Sequence, residues 1–251
     1  MTNNNNWLKS LLVFTLISSI VLIGCQGLDA NSPTAQDNAK QNNPNITADT
    51  SSINMNLPKL KGTATVVMTV NGQPITIEVD GNNAPITAGN FVDLVERGVY
   101  DGLVFHRVVK EPQPFVVQGG DPQGKTPNFP VARLGTGGFV EPDTQRPRYI
   151  PLEVRPEFAE GEEPAAIIYS QTTSETPQLK HTRGAVAMAR SQMPDSASSQ
   201  FYFALADLPF LDGDYAVFGY VTDGMEVVDR IKQGDRIESA KVVQGIENLK
   251  K

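Results

Sequence analysis

The chain has 251 residues, with 21 lysines and arginines against 28 aspartates and glutamates, for a formal net charge of -7. That balance argues against non-specific nucleic-acid binding, which needs a cationic face to displace counterions from phosphate. One cysteine, Cys25, rules out an internal disulfide framework or a Cys-rich zinc site, and His106 and His181 stand in no H-x-x-x-H or H-E-x-x-H spacing, so no metal and no cofactor are expected.

In chain order, Met1 to Lys9 is polar, and Leu11 to Gly24 is apolar except for Thr15, Ser18 and Ser19. At about fourteen residues the run is short of the ~20 that span a bilayer, but it suits the apolar region of a signal peptide. It ends in Leu22-Ile23-Gly24-Cys25, which resembles the bacterial lipobox. Residues 1–24 therefore read as a signal peptide cleaved before Cys25, the site of lipidation; the other reading is an uncleaved anchor with an incidental cysteine. Several acyl chains, at about 0.8 kcal/mol per buried methylene, would tether the product stably to a membrane. Residues 25–56 lack aromatic side chains and are rich in Asn, Gln, Ser, Thr, Ala and Pro. They cannot bury enough apolar surface to offset their ordering entropy and read as a disordered polar linker.

The folded region is expected over residues 57–251. Ala64, Val66, Met68 and Val70 alternate along one run, Ile75, Ile77 and Val79 along the next, and Asn71-Gly72 between them is a strong hairpin signal. Pro85 to Arg97 reads as a helix with Pro85 at its first position, a stripe of Ala88, Phe91, Leu94 and Val95, and Gly98 as its left-handed cap. Met225 to Gln233 reads as a second helix, with Asp223 and Glu226 at capping-box spacing. Strand-like runs cover Leu103–Val109, Phe115–Gln118, Ala185–Ala189, Gln200–Leu205, Ala216–Val221 and Ile237–Val243. Eight short strands with two helices predict a mainly β fold, a closed eight-stranded antiparallel barrel capped by two α-helices. Most of the 18 prolines fall between Pro112 and Pro177, so that stretch should be a long Pro-rich loop, with Tyr149–Val154 and Ala166–Tyr169 able to pair locally.

Phe105-His106-Arg107, the run Phe115 to Asp121, Met188-Ala189-Arg190, Ser199 to Phe203, Leu211-Asp212-Gly213 and Val217-Phe218-Gly219 follow one another in an order that resembles the cyclophilin family of peptidyl-prolyl cis-trans isomerases. Gly138 to Pro142, Ile150 to Glu153 and the tail Tyr215 to Leu249 are similar to cyclophilin domains of cyanobacteria and of the plant thylakoid lumen. The resemblance implies isomerisation of X-Pro bonds with Arg107 as the catalytic cation, assisted by Phe115 and Gln118. It implies a proline pocket walled by Phe115, Val116, Phe201 and Leu211, with Phe210 and Tyr215 at its rim, and a groove formed by Ala189, Arg190 and Gln200. The partners it implies are proline-containing segments of client proteins, with no obligate oligomer, on an exported chain lipid-anchored at the periplasmic or thylakoid-lumen side of a bacterial, cyanobacterial-type membrane.

The chain departs from the family pattern in several places. Val116 stands where methionine is common, Tyr215 where histidine is usual, and Arg190 where asparagine is usual. Phe210 stands where cyclosporin-sensitive members carry tryptophan, so weak cyclosporin binding is expected. The link Lys110 to Pro114 is about three residues longer than in compact members; it must bulge away from the sheet, or a one-residue slip would swap side chains between faces. The Pro-rich stretch from Pro122 to Gln178 is about twice the usual length and could overhang the groove. A serine hydrolase lacks its G-x-S-x-G elbow here. His106 reads as a satisfied structural histidine, His181 as a loop residue, and Asp212-Gly213-Asp214 as a turn. The rival to an enzyme is a non-catalytic cyclophilin-like module that holds a partner at a membrane surface.

Overall fold

The alternation around Asn71-Gly72 is realised in full. After Lys59–Leu60 (β1), the strands Thr63–Val70 (β2) and Gln73–Asp80 (β3) pair in register from Thr63↔Asp80 to Val70↔Gln73. Asn71 and Gly72 take φ values of 50° and 71°, the left-handed pair that a two-residue hairpin requires. The structure, a computed structural model, describes residues 57–251; the expected signal peptide, Cys25 and the polar linker lie outside the described residues.

Pro85–Glu96 (α1) starts at its proline as expected, and Gly98 follows its end at φ 63°. Its burial extends beyond the apolar stripe, because Thr87, Gly89, Asn90 and Asp93 are buried too. The backbone of Pro58 and Lys59 crosses the helix so closely at Gly89 that a Cβ there would overlap it. The helix has no side-chain cap of its own. Instead, Ile86 and Thr87 donate their N–H groups to the carboxylate of Glu153, at 3.1 and 2.8 Å, from far along the chain.

The remaining elements are Arg107–Val109 (β4), Val116–Gly119 (β5), Glu153–Val154 (β6), Ile168–Tyr169 (β7), Ala185–Met188 (β8), Phe201–Ala204 (β9), Val217–Asp223 (β10), Met225–Arg230 (α2), Ile237–Gln244 (β11) and Leu249–Lys250 (β12). The fold is mainly β: an eight-stranded antiparallel sheet in the order β11-β2-β3-β10-β8-β9-β5-β4, with two α-helices among the described residues. The strand expected over residues 103–109 is shortened to three residues. Its first part bonds elsewhere: Phe105 N–H to Asp235 O at 2.9 Å, Gly234 N–H to Phe105 O at 2.9 Å, and Ile237 N–H to Leu103 O at 2.8 Å. The second helix also ends early, at Arg230, and its N-cap is Gly224 at φ 87°, so the expected Asp223–Glu226 capping box does not form. The Lys110 ammonium takes the carbonyls of Asp229 and Ile231 that a longer helix would have used.

Within residues 122–177 lie two short 3-10 turns and the β6–β7 pair, in which Glu153 faces Tyr169 and Val154 faces Ile168. This stretch is fastened to α1 by Glu153 and by Arg148, whose buried guanidinium lies 2.8 Å from Asp93 and also pairs with Glu141. Arg148, the Lys251 ammonium and Arg97 together hold the Asp93 carboxyl below the ordinary carboxylate range in spite of its burial.

The sheet separates two apolar clusters. On one side Phe91, Tyr100, Phe105, Phe201, Phe203 and Phe218 form the centre of the larger core; on the other Val116, Ala187, Tyr202, Ala204, Leu208 and Val217 form a smaller one. Strand β9 feeds both, because its successive side chains point to opposite faces.

Candidate active site

The β4–β5 hairpin sets the first pair of functional side chains. Arg107 lies opposite Gln118, Val109 opposite Val116, and Phe115 N–H donates to Val109 O at 3.0 Å, so residues 110–114 bulge away and the register survives. Arg107 is exposed, and its Nη1 donates to Gln118 Oε1 at 3.3 Å. Its guanidinium carbon sits 5.4 Å from the centre of the Phe115 ring, within cation–π range. Among the described residues no carboxylate pairs with it, which leaves most of its five N–H donors for a ligand.

The polar side of the site is a relay of amides. Gln118 Nε2 donates to Gln200 Oε1 at 3.1 Å, and Gln200 Nε2 donates to Gly137 O at 2.7 Å. Gly137 is placed by Asp121, whose Oδ2 accepts from the N–H groups of Gly135 at 2.6 Å and Gly137 at 3.0 Å. Thus Asp121 fixes Gly137, Gly137 orients Gln200, Gln200 orients Gln118, and Gln118 holds Arg107. A cavity of about 540 Å³ opens beside this relay, lined by Gln118, Gly137, Tyr149, Ala189, Arg190, Met193 and Gln200 among others. Arg190 is less free than a groove residue would be. Its guanidinium lies 4.8 Å over the Tyr215 ring and donates to the carbonyls of Asp214, Ser191 and Gln192, so it fastens one wall of the cleft.

The apolar side is carried by the smaller core cluster. Phe115, Val116, Ala189, Leu211 and Tyr215 all pack in it. Phe210 stacks on Phe115 with ring centres 6.1 Å apart and stays 67% exposed.

Phe201 is the exception. It is fully buried in the larger core, with ring centres 5.3 Å from Tyr100 and 5.5 Å from both Phe91 and Phe203, on the face of β9 opposite the site. The residue of β9 on the site's side is Tyr202, which lies directly across from Gln118 and meets Tyr215 edge to face at 6.0 Å. A signal for it was present: Gln200 faces the site, and strand periodicity puts residue 202, not 201, on the same face. His106 also differs from expectation. It is buried, and among the described residues neither ring nitrogen has a hydrogen-bond partner. Burial pushes its pKa below the ordinary histidine value, and the neighbouring Arg107 charge acts in the same direction.

The family profile described as cyclophilin type peptidyl-prolyl cis-trans isomerase/CLD matches residues 65–250. The chain is similar to a putative thylakoid lumen peptidyl-prolyl cis-trans isomerase of Synechocystis sp., 45% identical over 209 residues that make up 77% of this chain and 50% of that protein. It is also similar to a chloroplastic peptidyl-prolyl cis-trans isomerase of Arabidopsis thaliana, 40% identical over 217 residues, 77% of this chain and 45% of that one. The chain therefore spans about half the length of these curated relatives. Among solved structures, a cyclophilin type peptidyl-prolyl cis-trans isomerase of Cryptosporidium parvum shares the fold, with a TM-score of 0.52 and 24% identity, covering 72% of this chain and 98% of that one.

Proposed function

Because the chain belongs to the cyclophilin-type peptidyl-prolyl cis-trans isomerase family, we propose that it accelerates rotation about X-Pro bonds in client proteins, with Arg107 as the catalytic cation. The observation that carries this reading is the unpaired Arg107 guanidinium, held by Gln118 beside the Phe115 ring. Rotation about an X-Pro bond must break amide resonance, over a barrier of about 18–20 kcal/mol. At the top of that barrier the proline nitrogen is pyramidal and has regained its lone pair. A guanidinium donor aimed at that nitrogen favours the twisted amide over the planar one, which lowers the barrier without a covalent step. The proline ring would be gripped by Phe115, Val116 and Leu211, leaving the preceding residues to the groove at Ala189 and Gln200. The test is a proline-peptide isomerisation assay. Acceleration above the uncatalysed rate is expected, and a rate equal to buffer would instead favour a purely binding module.

The barrel closure that the sequence suggests is supported by the backbone bonds between residues 103–105, which lead into the edge strand β4, and residues 234–237, which lead into the other edge strand, β11. An exported or lumenal location is supported by the relatives named for the thylakoid lumen and the chloroplast. Lipidation at Cys25 rests on the Leu22-Ile23-Gly24-Cys25 motif, and a mature N-terminus at any other residue, read by mass spectrometry, would contradict it. Cyclosporin should bind weakly because Phe210 offers no indole N–H; one lost hydrogen bond costs about 0.5–1.5 kcal/mol, so Phe210→Trp should tighten binding about 2- to 10-fold, and equal affinities would refute this expectation.

A further inference from the structure

His181 is 2% exposed, and both of its ring nitrogens are engaged. Nδ1 lies 2.8 Å from Asp212 Oδ1, and Nε2 lies 2.9 Å from the Tyr202 hydroxyl. An ionised carboxylate only accepts, so Nδ1 carries the proton; Nε2 is then the acceptor, and the Tyr202 O–H donates to it. Burial pushes the imidazole pKa below its ordinary value, in keeping with this neutral tautomer.

The backbone of the same residue grips the neighbouring segment at both ends. His181 N–H donates to Asp212 Oδ1 at 2.8 Å, and Leu208 N–H donates to His181 O at 2.7 Å. Between those two points runs the short turn that carries Phe210 and Leu211, the outer wall of the apolar pocket. At the other edge of the imidazole is Tyr202, which forms the pocket floor beside Val116.

We propose that Asp212, His181 and Tyr202 form a positioning strut that sets the distance between the floor of the proline pocket and its Phe210–Leu211 wall, and so sets affinity for the proline ring. The proposal rests on the isomerase reading above. Packing alone does not call for this chain of polar groups: a phenylalanine at 202 would fill the same apolar space without burying a hydroxyl that then needs a partner. Tyr202 sits across the β5–β9 pair from Gln118, but among the described residues no side chain of the three hydrogen-bonds to Arg107 or Gln118, so the strut acts on binding and leaves the chemical step to the Arg107–Gln118 pair.

The full chain carrying Tyr202→Phe keeps the ring and removes only the donor. One net hydrogen bond corresponds to about a 2- to 10-fold change in an equilibrium constant, so KM for an X-Pro peptide, and Kd from an NMR titration with the dipeptide Ala-Pro, should rise by about that factor. The value of kcat should stay within about 2-fold, in contrast to loss of an interaction made only in the transition state. Asp212→Asn retains an oxygen acceptor and should keep near-wild-type KM, whereas Asp212→Ala should not. All variants are assayed well below their melting temperatures, so that loss of folded protein does not imitate weak binding. Unchanged KM and Kd in Tyr202→Phe, or a loss confined to kcat, would overturn the strut. Wild-type protein that binds Ala-Pro without turnover would remove the isomerase reading and leave the strut to be judged on Kd alone; wild type that does not bind the dipeptide would overturn the strut as well.

Discussion

Arg107→Ala should lose about 10²- to 10³-fold in kcat/KM for X-Pro isomerisation, the range seen when one preorganised donor to a transition state is removed, or about 2.7–4 kcal/mol. The side chain is exposed and, among the described residues, makes a single hydrogen bond, to Gln118, so the variant should melt within a degree or two of wild type. Arg107→Lys should recover little of the loss. An ammonium retains the charge but not the planar fork, which can bond Gln118 with one nitrogen while presenting another to the substrate. Turnover of the alanine variant within about 2-fold of wild type would mean that the guanidinium does not face the rotating bond, and the electrostatic mechanism would fall.

Phe201→Ala is expected to act on stability instead. Removing a fully buried phenylalanine costs about 3–5 kcal/mol, a large part of the 5–15 kcal/mol that holds a typical domain together. Its ring meets Phe91, Tyr100 and Phe203 within 5.5 Å, and these come from α1, from the segment after it, and from β9, so a cavity there loosens the packing of helix on sheet. A marked fall in the urea midpoint is the expected readout, with KM nearly unchanged for the molecules that remain folded. A variant of wild-type stability with weakened peptide binding would return Phe201 to the pocket.

The contrast between Phe201 and Tyr202 shows where reading along the chain stops. A motif places residues on a strand, but the face each one presents depends on register, and a one-residue error exchanges core for pocket. The juxtaposition of Arg107, Phe115 and Gln118 is set more locally. They sit on one hairpin, where local pairing sets their relative positions, and the extra residues at 110–114 leave that pairing intact. The Asp223–Glu226 spacing predicts a capping box, but Gly224 in the left-handed region is the N-cap of α2; at the other end of that helix Lys110, more than a hundred residues earlier, occupies the carbonyls of Asp229 and Ile231.

What local pattern determined by itself was the hairpin around Asn71-Gly72, the start of α1 at Pro85, the position of most strands, and the motif that holds Arg107. These follow from period-two and helical patterning and from backbone preferences, which act between near neighbours. Only the tertiary structure decided that Glu153 caps α1, that Asp121 and Gly137 orient Gln200, and that His181 joins Asp212 to Tyr202 beneath the pocket. Each of those contacts joins elements brought close by burial of shared apolar faces. Burial is non-directional, so it leaves no periodic trace in the sequence to say which polar groups will meet.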